Sequence, residues 1–298
     1  NHQLAQRIKN KFKMKNTTGF SLNALVDFED PFEVLQHLMI GSEGTLGFIA
    51  EITYKTVKDD PFKASSLIIY PDNEKACQAS SLLKSQPVAA VELMDRAGLR
   101  TMENAEGIPS YIKDLSDKAC SLLVQTNADS KEKLYQQIDQ ITNSIESIPT
   151  ELPFSFTDDP KAYNVYWKIR KGLYPSVGAM RQTGTTVIIE DVTFPTPRLA
   201  EATSALQELF TKYNYDEAVI FGHALEGNIH FVFNQDFSSQ AEIDRYERFM
   251  DELAVMVVDR FDGSLKAEHG TGRNMAPYVE KQWGEEAFAI MKRIKAIF

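Results

Sequence analysis

Of the five histidines in this chain, three fall in two short pieces far apart in sequence, Ile220–Phe233 (IFGHALEGNIHFVF) and Leu265–Met275 (LKAEHGTGRNM). The first piece holds His223 and His230. The second holds the adjacent pair Glu268 and His269, followed by Gly270 and Gly272. Both are flanked by apolar runs, where a polar side chain is costly unless it finds a partner. Gly227-Asn228 between the two histidines is turn chemistry, so the flanking strands can fold as a hairpin with both imidazoles at its base. Two imidazoles and a carboxylate form a common divalent-cation set, and Glu268 is the candidate third ligand. Histidines satisfied inside a core are the competing reading.

His269 adjoins Glu268, and neighbours in an extended segment point opposite ways. It is therefore expected to face away from Glu268, toward a reacting group, where a neutral imidazole suits proton abstraction. The plainer reading is a histidine satisfied by backbone in a glycine-rich loop. Arg170 lies in WKIRK, on a helix that also carries Tyr163, Tyr166 and Trp167. A planar guanidinium on an aromatic surface suits a carboxylate, against the commoner reading of a solvated helix charge. Arg181 and Arg273 read the same way at lower weight, Arg273 being the better placed because it follows His269 by four residues. Gly41, Gly44 and Gly47 bracket a turn whose backbone could approach a flat or anionic ligand. A simple glycine-rich connection would give the same pattern.

Positioning these groups requires a mixed set of elements. Residues 1–16 read as a basic helix ended by Thr17, Thr18 and Gly19. Asp30 and Pro31 open a helix to about Met39, and the alternating run FIAEITYKTV after Gly47 reads as a strand. After Lys58-Asp59-Asp60-Pro61 the character changes, and a domain boundary is placed there, dividing the chain into 1–58 and 59–298. SSLIIYP, PVAAVELMD and CSLLVQTNA then read as strands, and NEKACQASSLLKS and KEKLYQQIDQITNSIESI as helices. A helix capped at Asp159 breaks near Pro175, followed by the strand TTVIIEDVTFP and a helix starting near Pro197. The histidine hairpin, a long helix ending at Gly263 and a final helix from about Gly284 complete the pattern. Paired strands separated by helices point to an α+β fold, an antiparallel sheet with helices on one face.

At 298 residues one large domain or two smaller ones are allowed. The formal charge of −10 argues against nucleic acid as the main partner. Cys77 and Cys120 make no ligand pattern and suggest a reducing compartment. The sequence lacks an apolar run long enough to span a bilayer, and its first residues lack the layout of a signal peptide. Both ends read as cut, so the chain is expected to be a fragment.

In combination, these motifs resemble a known family. GSEGTLGFIAEITYK resembles the end of the flavin-binding domain in flavoproteins of the vanillyl-alcohol-oxidase type. GHALEGNIHFVF and KAEHGTGRNMAPYVE resemble the substrate domain of their FAD-linked D-2-hydroxyacid dehydrogenase branch. RQTGTTVIIEDVTFP and the C-terminal third resemble most the large FAD and iron–sulfur D-lactate dehydrogenases. The resemblance implies the tail of a flavin-binding domain (1–58) followed by an FAD-linked oxidase C-terminal type substrate domain (59–298).

The same resemblance implies roles. His223, His230 and Glu268 would hold a divalent metal (Zn, Mn or Fe), and His269 would take the hydroxyl proton as hydride leaves for the flavin. Arg170 and Arg273 would bind the substrate carboxylate, and Gly41, Ser42, Glu43, Gly44, Thr45 and Asn228 would line the FAD. Most of the FAD contacts, and any 4Fe-4S cluster, would lie outside these residues. Ile189 and Tyr174 stand where the D-2-hydroxyglutarate enzymes have a lysine and a threonine, which favours a monoacid such as D-lactate. The implied partners are a small 2-hydroxyacid and a quinone or other non-oxygen electron acceptor. The expected location is cytoplasmic, with peripheral attachment to an inner membrane left open. Glycolate or D-2-hydroxyglutarate oxidation, or a non-catalytic hydroxyacid-binding module, are the alternatives.

Overall fold

The computed structural model describes residues 1–298, the side chain of Met180 excepted. Its elements in chain order begin with α1 (His2–Lys11), α2 (Ala24–Asp27), α3 (Pro31–Met39), β1 (Phe62–Tyr70), α4 (Asn73–Leu83), β2 (Ala90–Met94) and α5 (Arg96–Met102). They continue with β3 (Cys120–Ala128), α6 (Lys131–Ile145), α7 (Pro160–Met180), β4 (Thr185–Thr193) and α8 (Leu199–Lys212). The last are β5 (Val219–His223), β6 (Asn228–Asp236), α9 (Gln240–Val255), α10 (Gly272–Met275) and α11 (Val279–Ile297). The chain divides into two compact units, one of Lys58–Ile189 with Thr196–Met250, the other of Asn1–Val57, Glu190–Pro195 and Asp251–Phe298.

The first of these units carries the sheet. Among the described residues it has six strands in the order β1-β3-β2-β5-β6-β4, and the pairings from β1 through β6 are antiparallel. Side chains alternate across the sheet, and each face packs on helices. Leu67, Ile69, Leu123, Phe221 and Val232 on one face pack with Ile169, Leu173 and Val177 of α7. On the opposite face, Ala64 of β1 and Ala128 of β3 pack against Leu134 of α6. The expectation of helices on one face is thus corrected. The strand interiors are near-continuously buried, Ala64–Tyr70 in β1 for example, and continuous burial needs cover on both sides.

The second unit is helical, with a core of Ile8, Leu22, Leu38, Leu46, Val279, Trp283, Ala287, Met291 and Ile294. Asp30 caps α3 by accepting from the backbone N–H of Phe32 and Glu33, with Pro31 in the first turn, as expected. The expected strand FIAEITYKTV does not form. Residues 48–57 carry no regular structure, and Phe48, Tyr54 and Val57 are 92%, 77% and 91% exposed. Alternation makes a segment able to pair, but a strand exists only where a second strand accepts its hydrogen bonds.

Candidate active site

Strand register assembles one group of functional side chains in the sheet unit. Glu92 of β2 pairs with His223 of β5, while Phe221 pairs with His230 and His223 with Asn228 across the β5–β6 hairpin. Glu92, Phe221, His223, Asn228 and His230 therefore share one face. A 3₁₀ turn, Ala224–Glu226, and left-handed Gly227 (φ +65°) close the hairpin, as the turn chemistry predicts. Gly222 lets the two strands approach closely: a Cβ there would lie 2.2 Å from the backbone oxygen of Asn228. The imidazoles of His223 and His230 end with ring centroids 5.3 Å apart and planes at 88°.

Glu92 is the residue that sequence reasoning passed over. Its Oε1 lies 2.7 Å from Nδ1 of His223, and its Oε2 accepts from Nε of Arg170 at 2.8 Å. The carboxyl is buried, which opposes ionisation. The hydrogen bond from His223 and the charge of Arg170 outweigh that and hold its pKa below the ordinary glutamate value. With the Nδ1 proton given to Glu92, the lone pair of His223 resides on Nε2, the usual arrangement of a carboxylate behind a ligating histidine. The available signal was a lone glutamate inside the apolar run AVELM.

Arg170, on α7, is thus part of this face. Its guanidinium carbon sits 4.5 Å from the ring centroid of Phe221, and its side chain is 15% exposed. One nitrogen is committed to Glu92, so any carboxylate it grips must take the terminal pair. Trp167, on the same helix, donates to Gln125 of β3 at 2.8 Å. The aromatic surface noted in the sequence is therefore partly the seam between α7 and the sheet.

The helical unit holds the other candidate residues. Oδ2 of Asp191 accepts from three successive backbone N–H groups, Ala267 at 3.1 Å, Glu268 at 2.6 Å and His269 at 3.2 Å. Successive N–H groups of an extended chain point opposite ways, so converging on one oxygen forces this segment to curl. The expectation that Glu268 and His269 face opposite ways is corrected accordingly: Oε1 of Glu268 lies 3.9 Å from Nε2 of His269. Left-handed Gly270 and Gly272 follow, at φ +75° and +60°. Thr17 anchors the loop further by accepting from Gly270 N–H at 3.1 Å, and the other carboxylate oxygen of Glu268 pairs with Lys15 at 3.0 Å.

Behind this loop sits a buried charge cluster. Lys266 pairs with Glu190 at 2.8 Å and Asp191 at 3.0 Å, and Asn274 donates to Glu190 at 2.9 Å. Burial pulls the pKa of Lys266 down, but the charges of Glu190 and Asp191 outweigh it and hold the pKa above the ordinary lysine value.

The glycine turn also lies in this unit. Gly41, Ser42, Glu43 and Thr45 line a cavity of about 680 Å³ together with Phe20, Val279, Phe288, Met291, Gly272, Arg273, Lys292 and Lys295. Gly41, Glu43 and Gly44 are all left-handed, at φ +75°, +53° and +76°, which turns backbone toward the surroundings rather than side chains. The cavity thus has an apolar wall, the turn beside it and a rim of Arg273, Lys292 and Lys295. Arg273 is exposed and lines the same cavity. Asn228 belongs to the histidine face, where it is fully buried.

The fold is that of the FAD-linked oxidase class, and the comparisons make the membership specific. Residues 60–298 match the model for the FAD linked oxidases, C-terminal domain, and the chain belongs to that family. The curated relatives that the chain matches carry names that include D-lactate dehydrogenase, glycolate oxidase subunit GlcD and D-2-hydroxyglutarate dehydrogenase. The chain is 32% identical over 268 residues to the mitochondrial D-lactate dehydrogenase [cytochrome] of Arabidopsis thaliana, covering 88% of this chain and 44% of that protein. To glycolate oxidase subunit GlcD of Bacillus subtilis it is 28% identical, covering 89% of this chain and 54% of that one. The chain therefore spans about half the length of the curated relatives it matches. Among solved structures, 4-ethylphenol oxidase from Gulosibacter chungangensis shares the fold, with a TM-score of 0.56 at 10% identity over 80% of this chain and 52% of that chain. Among the described residues, no helix is long and apolar enough to cross a membrane.

Proposed function

We propose that this chain supplies the substrate-handling part of an FAD-dependent D-2-hydroxyacid dehydrogenase, acting on D-lactate and passing electrons to a quinone or another non-oxygen acceptor. The observation that carries this reading is the buried Glu92 carboxylate behind His223, beside His230 on the same sheet face. A histidine oriented in this way is prepared to ligate a cation. In the proposal His223, His230 and Glu268 hold a divalent metal (Zn, Mn or Fe).

His269 accepts the proton of the substrate hydroxyl at an imidazole nitrogen. Arg170 holds the carboxylate with its terminal nitrogens, its third being held by Glu92, and Arg273 is a secondary candidate for the same task. The turn Gly41–Thr45 and Asn228 lie along the flavin. When bound, the metal would lower the hydroxyl pKa and the flavin would accept the hydride. Phe221 lies beneath Arg170, and burial of Glu92 strengthens its contacts with His223 and Arg170. Ile189 and Tyr174 in place of polar partners for a second carboxylate favour a monoacid over D-2-hydroxyglutarate; glycolate is the alternative of similar size.

The deciding experiment assays the full-length protein with an artificial electron acceptor across D-lactate, L-lactate, glycolate and D-2-hydroxyglutarate. The expected result is turnover with D-lactate fastest and L-lactate inert. No turnover with any of the four would sink the dehydrogenase reading.

A further inference from the structure

We infer that Asp191 is a positioning residue for the reaction: a buried carboxylate that curls the Ala267–His269 backbone so that Glu268 and His269 are presented together. The inference rests on the proposed roles of Glu268 and His269. Its own support is geometric and lies entirely within the helical unit. Asp191 is fully buried, and burying a carboxylate is unfavourable unless hydrogen bonds and opposite charge compensate. Oδ2 takes its compensation from the three backbone N–H groups and Oδ1 from Lys266 at 3.0 Å.

That division of labour makes Asp191 more than a space-filling group. A neutral apolar side chain would leave three successive N–H groups without an acceptor on this side, and the loop would relax toward the extended form, in which Glu268 and His269 diverge. Oδ1 of Asp191 also lies 3.8 Å from Nδ1 of His269, so the same carboxylate bounds the ring. Gly270 at φ +75° and Thr17 beyond it anchor the far side of the loop. With that side anchored, loss of Asp191 is expected to disturb Glu268 and His269 locally without releasing the segment.

The experiment compares Asp191→Ala, Asp191→Asn and the unaltered full-length protein by amide hydrogen exchange, by metal content after gel filtration, and by kcat and KM with D-lactate. In Asp191→Ala the amides of residues 267–269 should exchange at least about tenfold faster while those of the histidine strands stay protected. Metal retention should fall, and kcat should drop by about tenfold or more with a smaller change in KM. Asp191→Asn keeps one acceptor oxygen and should recover part of each effect. If Asp191→Ala does not fold, Asp191→Asn carries the test with the same expected directions. Unchanged exchange at residues 267–269, or faster exchange with metal content and kcat intact, overturns the inference. Failure of the parent reading shows separately, as an unaltered protein that retains no metal or turns over no hydroxyacid.

Discussion

The two groups of candidate residues are held by different physics. His223 and His230 owe their mutual placement to strand register: His223 pairs with Asn228, His230 pairs with Phe221 two pairs further along the same hairpin, and the backbone ladder fixes both. Glu268 and His269 owe theirs to one buried carboxylate that gathers three N–H groups of an irregular loop. A ladder spreads its stabilisation over many bonds, so single substitutions on it change chemistry more than shape. A loop organised around one acceptor can lose its shape through one atom. Catalytic groups on strands are accordingly precise, and those on such loops are adjustable.

The largest effect should come from removing a strand-held imidazole. His230→Ala is expected to abolish metal retention measured by elemental analysis, with the fold intact by circular dichroism because the ladder is untouched. Glu92→Gln, which removes the charge behind His223, should leave metal bound but with an affinity lower by roughly 10- to 100-fold in chelator competition. Unchanged metal content in His230→Ala would remove that residue from the ligand set and, with it, the strand-held half of the contrast.

A second contrast concerns buried aspartates. Asp95 caps α5, accepting from Gly98 N–H at 2.8 Å, and burial pushes its pKa up to about 7 although that hydrogen bond opposes the shift. Asp191 has Lys266 beside it; Asp95 has no cation within ion-pair distance among the described residues. The folded state therefore keeps a proton on Asp95 that the unfolded chain releases above about pH 4. Stability from this group is fully present below pH 4 and is lost as pH rises toward 7, by on the order of 3 kcal/mol. Urea unfolding between pH 4 and 8 should show this slope, and Asp95→Asn should flatten it. An equal slope in the variant would show that Asp95 is not its source.

The smallest effects separate ladder from loop at glycine. Gly222→Ala drives a Cβ against the Asn228 backbone and should destabilise the protein by about 1 to 3 kcal/mol. At Gly44 a Cβ meets nothing within 4 Å, so Gly44→Ala should cost only the left-handed backbone conformation, about 1 kcal/mol. Equal losses in thermal unfolding would erase the distinction.

How much of this was legible in the chain itself varied with range. The hairpin around Gly227-Asn228, the cap at Asp30 with Pro31, and the helix of Leu134, Ile138, Ile141 and Ile145 are local signals, and each forms where the residues place it. The run Phe48–Val57 alternates and Phe62–Tyr70 does not, yet the first carries no regular structure and is exposed while the second is β1 and buried. Alternation reports which faces differ and says nothing about whether a neighbour exists. Glu92 was overlooked because its partners are 78 and 131 residues away.

The sequence by itself determined the family and the antiparallel α+β character and pointed to candidate site residues, because residue types, turn signals and motifs are properties of short stretches. Only the tertiary structure decided which oxygen meets which nitrogen. It showed Glu92 behind His223, Asp191 beneath the Glu268–His269 loop, and those two side chains on the same side of the backbone rather than opposite ones. These follow from register between distant strands and from the need to satisfy buried charge, neither of which has a local signature.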